Sequence, residues 1–198
     1  MADSSGSESA IRLIAGLGNT GARYLPTRHN AGFWFADAMA RAQGCQFKAS
    51  SRFHGEFCET SLAGHICSIL KPDTFMNRSG QAVAALANFY KIPVEQILVV
   101  HDELDLPPGT VRLKQGGGNG GHNGLRSVTE SMVGGNFTRL RIGIGHPGQR
   151  DLVTDYVLTK PSQEDRRAIE VAIADAMAVM SEILGGKLER AMHKLHTK

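Results

Sequence analysis

Apolar residues in this chain come as short unbroken runs that alternate with stripes at helical spacing. Ile97-Leu98-Val99-Val100 is the clearest run: four aliphatic residues, three of them β-branched, as in a strand covered on both faces. It passes directly into His101-Asp102-Glu103, and Pro107-Pro108-Gly109 stops any continuation. Ile11 to Ala15 reads as the first strand. Phe53 to Ser61 and His65 to Leu70 read as two strands joined by a tight Ala63-Gly64 turn, and Thr110 to Gln115 as a further strand. Arg139-Leu140-Arg141-Ile142-Gly143-Ile144-Gly145 alternates basic or small residues with apolar ones. That pattern predicts one buried face, with both arginines on the other.

Helical stripes fill the intervals. One begins near Asn30, carries Phe33, Ala36, Met39 and Ala40, and closes at Gly44. Ser79 is placed to cap a helix whose inner face is Val83, Leu86, Ala87 and Tyr90. Asn123 is placed to cap another, with Leu125, Val128 and Met132. Asp151 to Leu158 is a last extended or short segment. Ser162 with Asp165 resembles a capping box opening a long helix, buried along Ile169, Ile173, Ala176, Met180 and Ile183. Gly185-Gly186 breaks it, and Lys187 to His196 forms a short basic helix. Strands alternating with helices predict an α/β fold: a single domain over residues 11–198, its mixed central sheet flanked by helices on both faces. Residues 1–10 are Ser-rich, without a basic or apolar leader pattern, and read as a disordered tail.

Composition narrows the setting. With 198 residues, 41% hydrophobic and 21% charged, the chain is an ordinary globular domain, and no apolar run is long enough to span a membrane. Cys45, Cys58 and Cys67 are odd in number and contain no C-x-x-C pair, which argues for a reducing compartment, the cytoplasm, and against a disulfide scaffold or zinc knuckle. A net charge of +3 permits a polyanionic partner without demanding one.

The chemistry gathers at strand ends and in glycine-rich loops. Asn19, His29, Asn30, Asn77, Asp102, His122 and Asn123 fall in four loops, each following a predicted strand. In open α/β sheets ligands collect at the carboxyl ends of strands. A histidine paired with a carboxylate can take a proton from water, and asparagine amides can hold a carbonyl or position the water. Singly, each residue reads as a turn former; jointly they favour a hydrolytic site. There is no G-x-S-x-G elbow and no H-E-x-x-H, and His193-x-x-His196 reads as solvated surface. Gly16 to Gly21 and Gly116 to Gly121 both match G-x-G-x-x-G, but Tyr24-Leu25-Pro26 interrupts the helix that the first would require. The loop from Gly116 to Gly124 sets Asn119, His122 and Asn123 among its glycines, unlike a plain linker, and suits close approach of a ligand to backbone N–H groups.

Six runs carry a resemblance to a known family. They are Gly16-Leu17-Gly18-Asn19, Thr27 to Phe33, Thr74 to Gly80, His101 to Gly109, Gly121 to Leu125, and Arg139 to Pro147. In order and spacing the chain resembles bacterial-type peptidyl-tRNA hydrolase, departing from it at Thr20, where the family usually has proline, and in a longer N-terminal tail. The resemblance implies a monomeric α/β enzyme without metal or organic cofactor, whose partner is its RNA substrate, peptidyl-tRNA. It would hydrolyse the ester between peptide and tRNA, recycling tRNA from aborted translation. His29 would be the base that activates water and Asp102 its orienting partner. Asn19, Asn77 and Asn123 would contact peptide and water, with Asn19 helping to select a blocked α-amino group. Tyr24, Phe75 and Met76 would line the cleft, and Lys114 and Arg141 would clamp a tRNA phosphate.

Two rival functions follow from the same residues. The two glycine fingerprints would suit a dinucleotide-dependent oxidoreductase, testable by nicotinamide or flavin titration. A non-catalytic RNA-binding scaffold would keep the fold but have no use for His29, Asp102 and Asn77.

Overall fold

The computed structural model describes residues 10–62 and 64–197. Its strands are β1 (Leu13–Gly16), β2 (Lys48–Ser50), β3 (Gly55–Leu62), β4 (His65–Pro72), β5 (Ile97–Glu103), β6 (Val111–Gln115) and β7 (Thr138–Gly143). Its helices are α1 (Ala31–Ala42), α2 (Ser79–Phe89), α3 (Asn123–Ser131), α4 (Val153–Val157), α5 (Gln163–Ala178), α6 (Met180–Leu184) and α7 (Leu188–His196). The strands form one sheet in the order β2-β3-β4-β1-β5-β7-β6. The central four run parallel; the meander β2-β3-β4 adds one antiparallel edge, and β6, joined to β7 through α3, pairs antiparallel with it at the other. The expected mixed sheet is the one found.

Alternation along the central strands divides the core. Ile14, Leu98, Val100, Leu140 and Ile142 face a layer built from α1, α5, α6 and α7. Leu13, Ala15, Ile97, Val99 and Phe137 face the other layer, with Val83 and Leu86 of α2 and Leu125 and Val128 of α3. The first four residues of β5 are all fully buried, as a strand sandwiched between two helical layers requires.

The glycines of the first fingerprint serve packing. A Cβ on Gly16 would lie 2.4 Å from the carbonyl oxygen of Gly32, and one on Gly18 would strike the ring of Phe33 at 2.6 Å. Gly32 is more confined still, with the backbone of Leu17 and Val100 within 2.5 Å of any added Cβ. The start of α1 therefore sits directly on the ends of β1 and β5. The chain between Gly18 and Ala31 forms turns instead of the helix that a dinucleotide site needs.

Several expectations change in three dimensions. Ser79 is the first residue of α2, not its cap: a short 3₁₀ turn, Met76–Arg78, runs straight into the helix, and the buried hydroxyl donates to the carbonyl of Met76. Asn123 likewise begins α3, and the cap is His122. Asp151 to Leu158 is helical, a 3₁₀ turn followed by α4. The long C-terminal helix breaks at Val179 before it reaches the glycine pair. Ser162 does cap α5, accepting the N–H of Asp165. Of the expected N-terminal tail, residues 1–9 lie outside the described residues. So does Ala63 of the hairpin turn, where Gly64 has a φ of +84°.

Candidate active site

β5 delivers Asp102 to the middle of the sheet's carboxyl edge, where it is 3% exposed. A short 3₁₀ turn, Arg28–Asn30, brings His29 to it from the start of α1. His29 Nδ1 stands 2.9 Å from Asp102 Oδ2 and 3.0 Å from Oδ1. His122 closes the carboxylate from the other side, with Nε2 2.9 Å from Oδ1. The His29 and His122 rings lie 4.9 Å apart.

Hydrogen bonding fixes both tautomers. His122 Nδ1 accepts the N–H groups of Gly124 and Leu125 at 3.1 and 3.2 Å, so it carries no proton. Its proton is on Nε2, donated to Asp102. An ionised carboxylate only accepts, so His29 Nδ1 must also donate. That leaves the lone pair of His29 on Nε2, which has no protein partner among the described residues. Burial disfavours charge on His29, but the adjacent Asp102 charge and hydrogen bond outweigh it and raise its pKa above the usual 6.5. Burial would raise the pKa of Asp102, yet the two histidines hold it well below the usual carboxylate range. His101 packs behind His122 with ring centroids 5.0 Å apart. Burial, with His122 close by, lowers its pKa to about 3, and it donates from Nδ1 to the carbonyl of Asp102.

His29, Asp102 and His122 also form the one cluster, among the described residues, with ligand atoms spaced for a cation, all within 4.8 Å. Tetrahedral zinc ligands at their usual bond lengths stand ~3.3 Å or more apart. The 2.9 Å contacts to Asp102 are hydrogen-bond distances.

Asparagines surround this centre, with different duties. Asn30 is fully buried and spends its amide on Asn19: its Oδ1 accepts the Asn19 N–H and its Nδ2 donates to the Asn19 carbonyl, both at 2.9 Å. Asn19 Oδ1 accepts the N–H of Met76 at 2.9 Å, which turns its own NH₂ outward as a donor. Asn77 and Asn123 are exposed and line the cleft with Asn19, His29, Phe75, Met76 and Asp102. The cleft encloses about 750 Å³. Phe75 is 70% exposed on its rim. Tyr24 stands apart from this wall, with its hydroxyl accepting from Arg23 and its ring under that guanidinium.

The opposite wall escaped sequence reasoning. Arg150, Val153, Thr154, Val157 and Leu158 line it, and Arg28 anchors it by donating to the carbonyls of Tyr156, Thr159 and Lys160. The i, i+4 pair Val153 and Val157 was the available signal. His122 appeared among the candidate polar residues but received no role, because nothing local ties it to Asp102.

A second hollow of about 220 Å³ adjoins the first, lined by Glu103, Lys114, Arg139 and Arg141 among others. Lys114 lies opposite Arg139, and Arg112 opposite Arg141, across the β6-β7 ladder. The two arginines of β7 do not share an exposed face as the alternation predicts. Arg139 is 2% exposed and donates to the carbonyls of Gly117 and Gly118 at 2.6 and 2.5 Å. Arg141 keeps partial exposure and pairs with Glu103, Nε to Oε2 at 2.9 Å. Gly116, Gly117, Gly120 and Gly121 all have positive φ, so this loop needs its glycines for backbone conformation.

Comparison with known proteins agrees with this architecture. A family model described as Peptidyl-tRNA hydrolase matches residues 13–198. The chain is 51% identical to peptidyl-tRNA hydrolase from Halorhodospira halophila, over 96% of this chain and 98% of that one. It is 56% identical to the Methylococcus capsulatus protein of the same name, over 94% and 99%. The crystal structure of peptidyl-tRNA hydrolase from Acinetobacter baumannii superposes with a TM-score of 0.91 at 46% identity, covering 96% of this chain and 95% of that one. Sequence and fold thus agree over nearly the whole length, and the chain belongs to the peptidyl-tRNA hydrolase family.

Proposed function

We propose that this protein hydrolyses the ester joining a peptide to tRNA, the reaction of its family, with His29 as the base that activates water. One observation carries the reading: His29 lines the cleft with its Nδ1–H held by buried Asp102, while its Nε2 has no protein partner among the described residues. Water attacks the ester carbonyl and gives a proton to Nε2. Asp102 stabilises the resulting imidazolium, which then protonates the departing ribose oxygen. The outward NH₂ of Asn19 is a pre-set donor to a substrate carbonyl, and Asn77 and Asn123 contact peptide and water from the cleft wall. Phe75 and Met76 offer apolar surface to the peptide.

Lys114 and Arg141 share the second hollow, where two cations from neighbouring strands suit a phosphate of the tRNA. The enzyme acts as a monomer on an RNA substrate in the cytoplasm, a setting that three unpaired thiols fit. No helix among the described residues is long and apolar enough to cross a membrane. The decisive assay is release of tRNA from N-acetyl-aminoacyl-tRNA, with unblocked aminoacyl-tRNA as control. Release from the blocked substrate and little from the control is expected; no release from either would overturn the reading.

A further inference from the structure

A different chemical pair lies beyond the far end of α1 from His29. Cys45 follows Gly44, whose φ of +64° turns the chain out of the helix, and its N–H donates to the carbonyl of Ala40. Cys58 is buried in the middle of β3. Their Sγ atoms stand 2.8 Å apart, both as free thiols. The β3-β4 register sets Cys58 opposite Ile69 and Cys67 opposite Thr60, so Cys58 and Cys67 are diagonal neighbours on one face. Cys67 nonetheless turns away and directs its thiol to the carbonyl of Ser68.

We propose that Cys45 and Cys58 form a reversible oxidation site that closes to an intramolecular disulfide when the protein meets hydrogen peroxide. Cys45 is half-buried and Cys58 buried, so Cys45 is the more accessible of the two to a small oxidant. The Cys45 thiolate attacks one peroxide oxygen, the O–O bond breaks, and the leaving hydroxide takes up the thiol's proton as water. Cys45 is then a sulfenic acid. The sulfur of Cys58 attacks that of Cys45, the S–S bond forms and the S–O bond breaks. Hydroxide departs with the proton of Cys58 as a second water. Two thiols are oxidised and one peroxide is reduced to two waters. Burial, followed by the neighbouring Cys45, pushes the pKa of Cys58 up to about 12, so Cys58 is not the thiol that reacts with peroxide; its place 2.8 Å from the Cys45 sulfur is what fits it for the second step.

Little has to move. The two sulfurs are already inside ordinary contact distance, and a disulfide bond is about 2.05 Å. The elements to be joined are also held together already: Lys71 bridges Asp37 of α1 at 2.8 Å and Glu56 of β3 at 3.3 Å. The new bond would close a short loop, Cys45 to Cys58, and constrain the unfolded chain. It lies at the opposite end of the twelve-residue α1 from the catalytic turn, so hydrolysis should be unchanged.

The test uses full-length protein treated with hydrogen peroxide, then alkylated and mapped by mass spectrometry after cleavage at Glu59, which separates Cys58 from Cys67. Free thiols should fall from three to one. The Cys45 and Cys58 peptides should be joined, with a mass loss of two hydrogens that dithiothreitol reverses. Cys67→Ser should behave like wild type, and Cys45→Ser, at a loop position that tolerates change, should form no link. The melting temperature should rise on oxidation in wild type and not in Cys45→Ser. A Cys58–Cys67 link, a cross-linked dimer, or over-oxidised Cys45 without an S–S bond would each overturn the proposal.

Discussion

His122 donates through Nε2 to Oδ1 of Asp102 at 2.9 Å, so the carboxylate that orients His29 is shared between two histidines. His122 Nδ1 at the same time accepts the first N–H groups of α3, so one ring joins the cap of that helix to Asp102. It is a positioning residue, coupling the glycine-rich loop to the catalytic pair. His122→Ala should free the whole Asp102 charge for His29 and so move the acid limb of the kcat/KM profile to higher pH. It should also lower stability by about 1–2 kcal/mol through the lost cap, read from denaturant midpoints. An unmoved acid limb in a folded variant would remove His122 from this role.

The pH profile should follow His29. Nε2 must be unprotonated to accept a proton, and its pKa is raised, so activity should fall as pH drops through a midpoint above 6.5. In Asp102→Asn the raising influence is gone while burial remains, and the midpoint should move down. Turnover there should fall by roughly 10²–10⁴-fold, because an amide favours the wrong tautomer. A midpoint that stays put in Asp102→Asn would show that another group controls the rate.

Stability should show the same pair with opposite signs. Asp102 titrates lower when folded, so its contribution is present above 3.8 and is lost as pH falls toward its folded pKa. His29 titrates higher when folded, so its contribution is complete below 6.5 and is lost as pH rises through the folded value. Urea midpoints across pH should therefore fall on the acid side in wild type more steeply than in Asp102→Asn.

For substrate selection, Asn19→Asp keeps the acceptor for the Met76 N–H but removes the outward donor. The variant should fold normally, lose turnover on N-acetyl-aminoacyl-tRNA, and discriminate less against the free amine. Unchanged discrimination would shift that role to Asn77 or Asn123.

The phosphate grip predicts an unusual gain. Glu103 engages Arg141 at 2.9 Å, in competition with any anion. Glu103→Gln should therefore tighten tRNA binding. Lys114→Ala and Arg141→Ala should weaken it and flatten the log K against log salt slope by roughly 0.7–0.9 each. Hydrolysis of a short peptidyl-nucleotide lacking the tRNA body should be almost unaffected in Lys114→Ala and Arg141→Ala. Equal losses on both substrates would place these residues in the catalytic centre.

Local patterning was sufficient for most of the architecture. Unbroken β-branched runs become central strands because both faces need covering, and i, i+3, i+4 stripes become helices because one face does; both are visible in a short window. The motif runs likewise named His29, Asp102, Asn19, Asn77 and Asn123 as site residues, and all five line one cleft. What local pattern could not decide was competition for partners across long sequence separation. Alternation treats Arg139 and Arg141 alike, yet the carbonyls of Gly117 and Gly118 bury one while Glu103 holds the other at the surface. Asn19 and Asn30 look equivalent as loop amides, but only the fold assigns Asn30 to the backbone and turns the NH₂ of Asn19 outward. His122, 20 residues beyond Asp102, acquires its role only when α3 begins beside the end of β5. Hydrogen-bond donors and acceptors are assigned by proximity in space, so these roles were settled by tertiary structure alone.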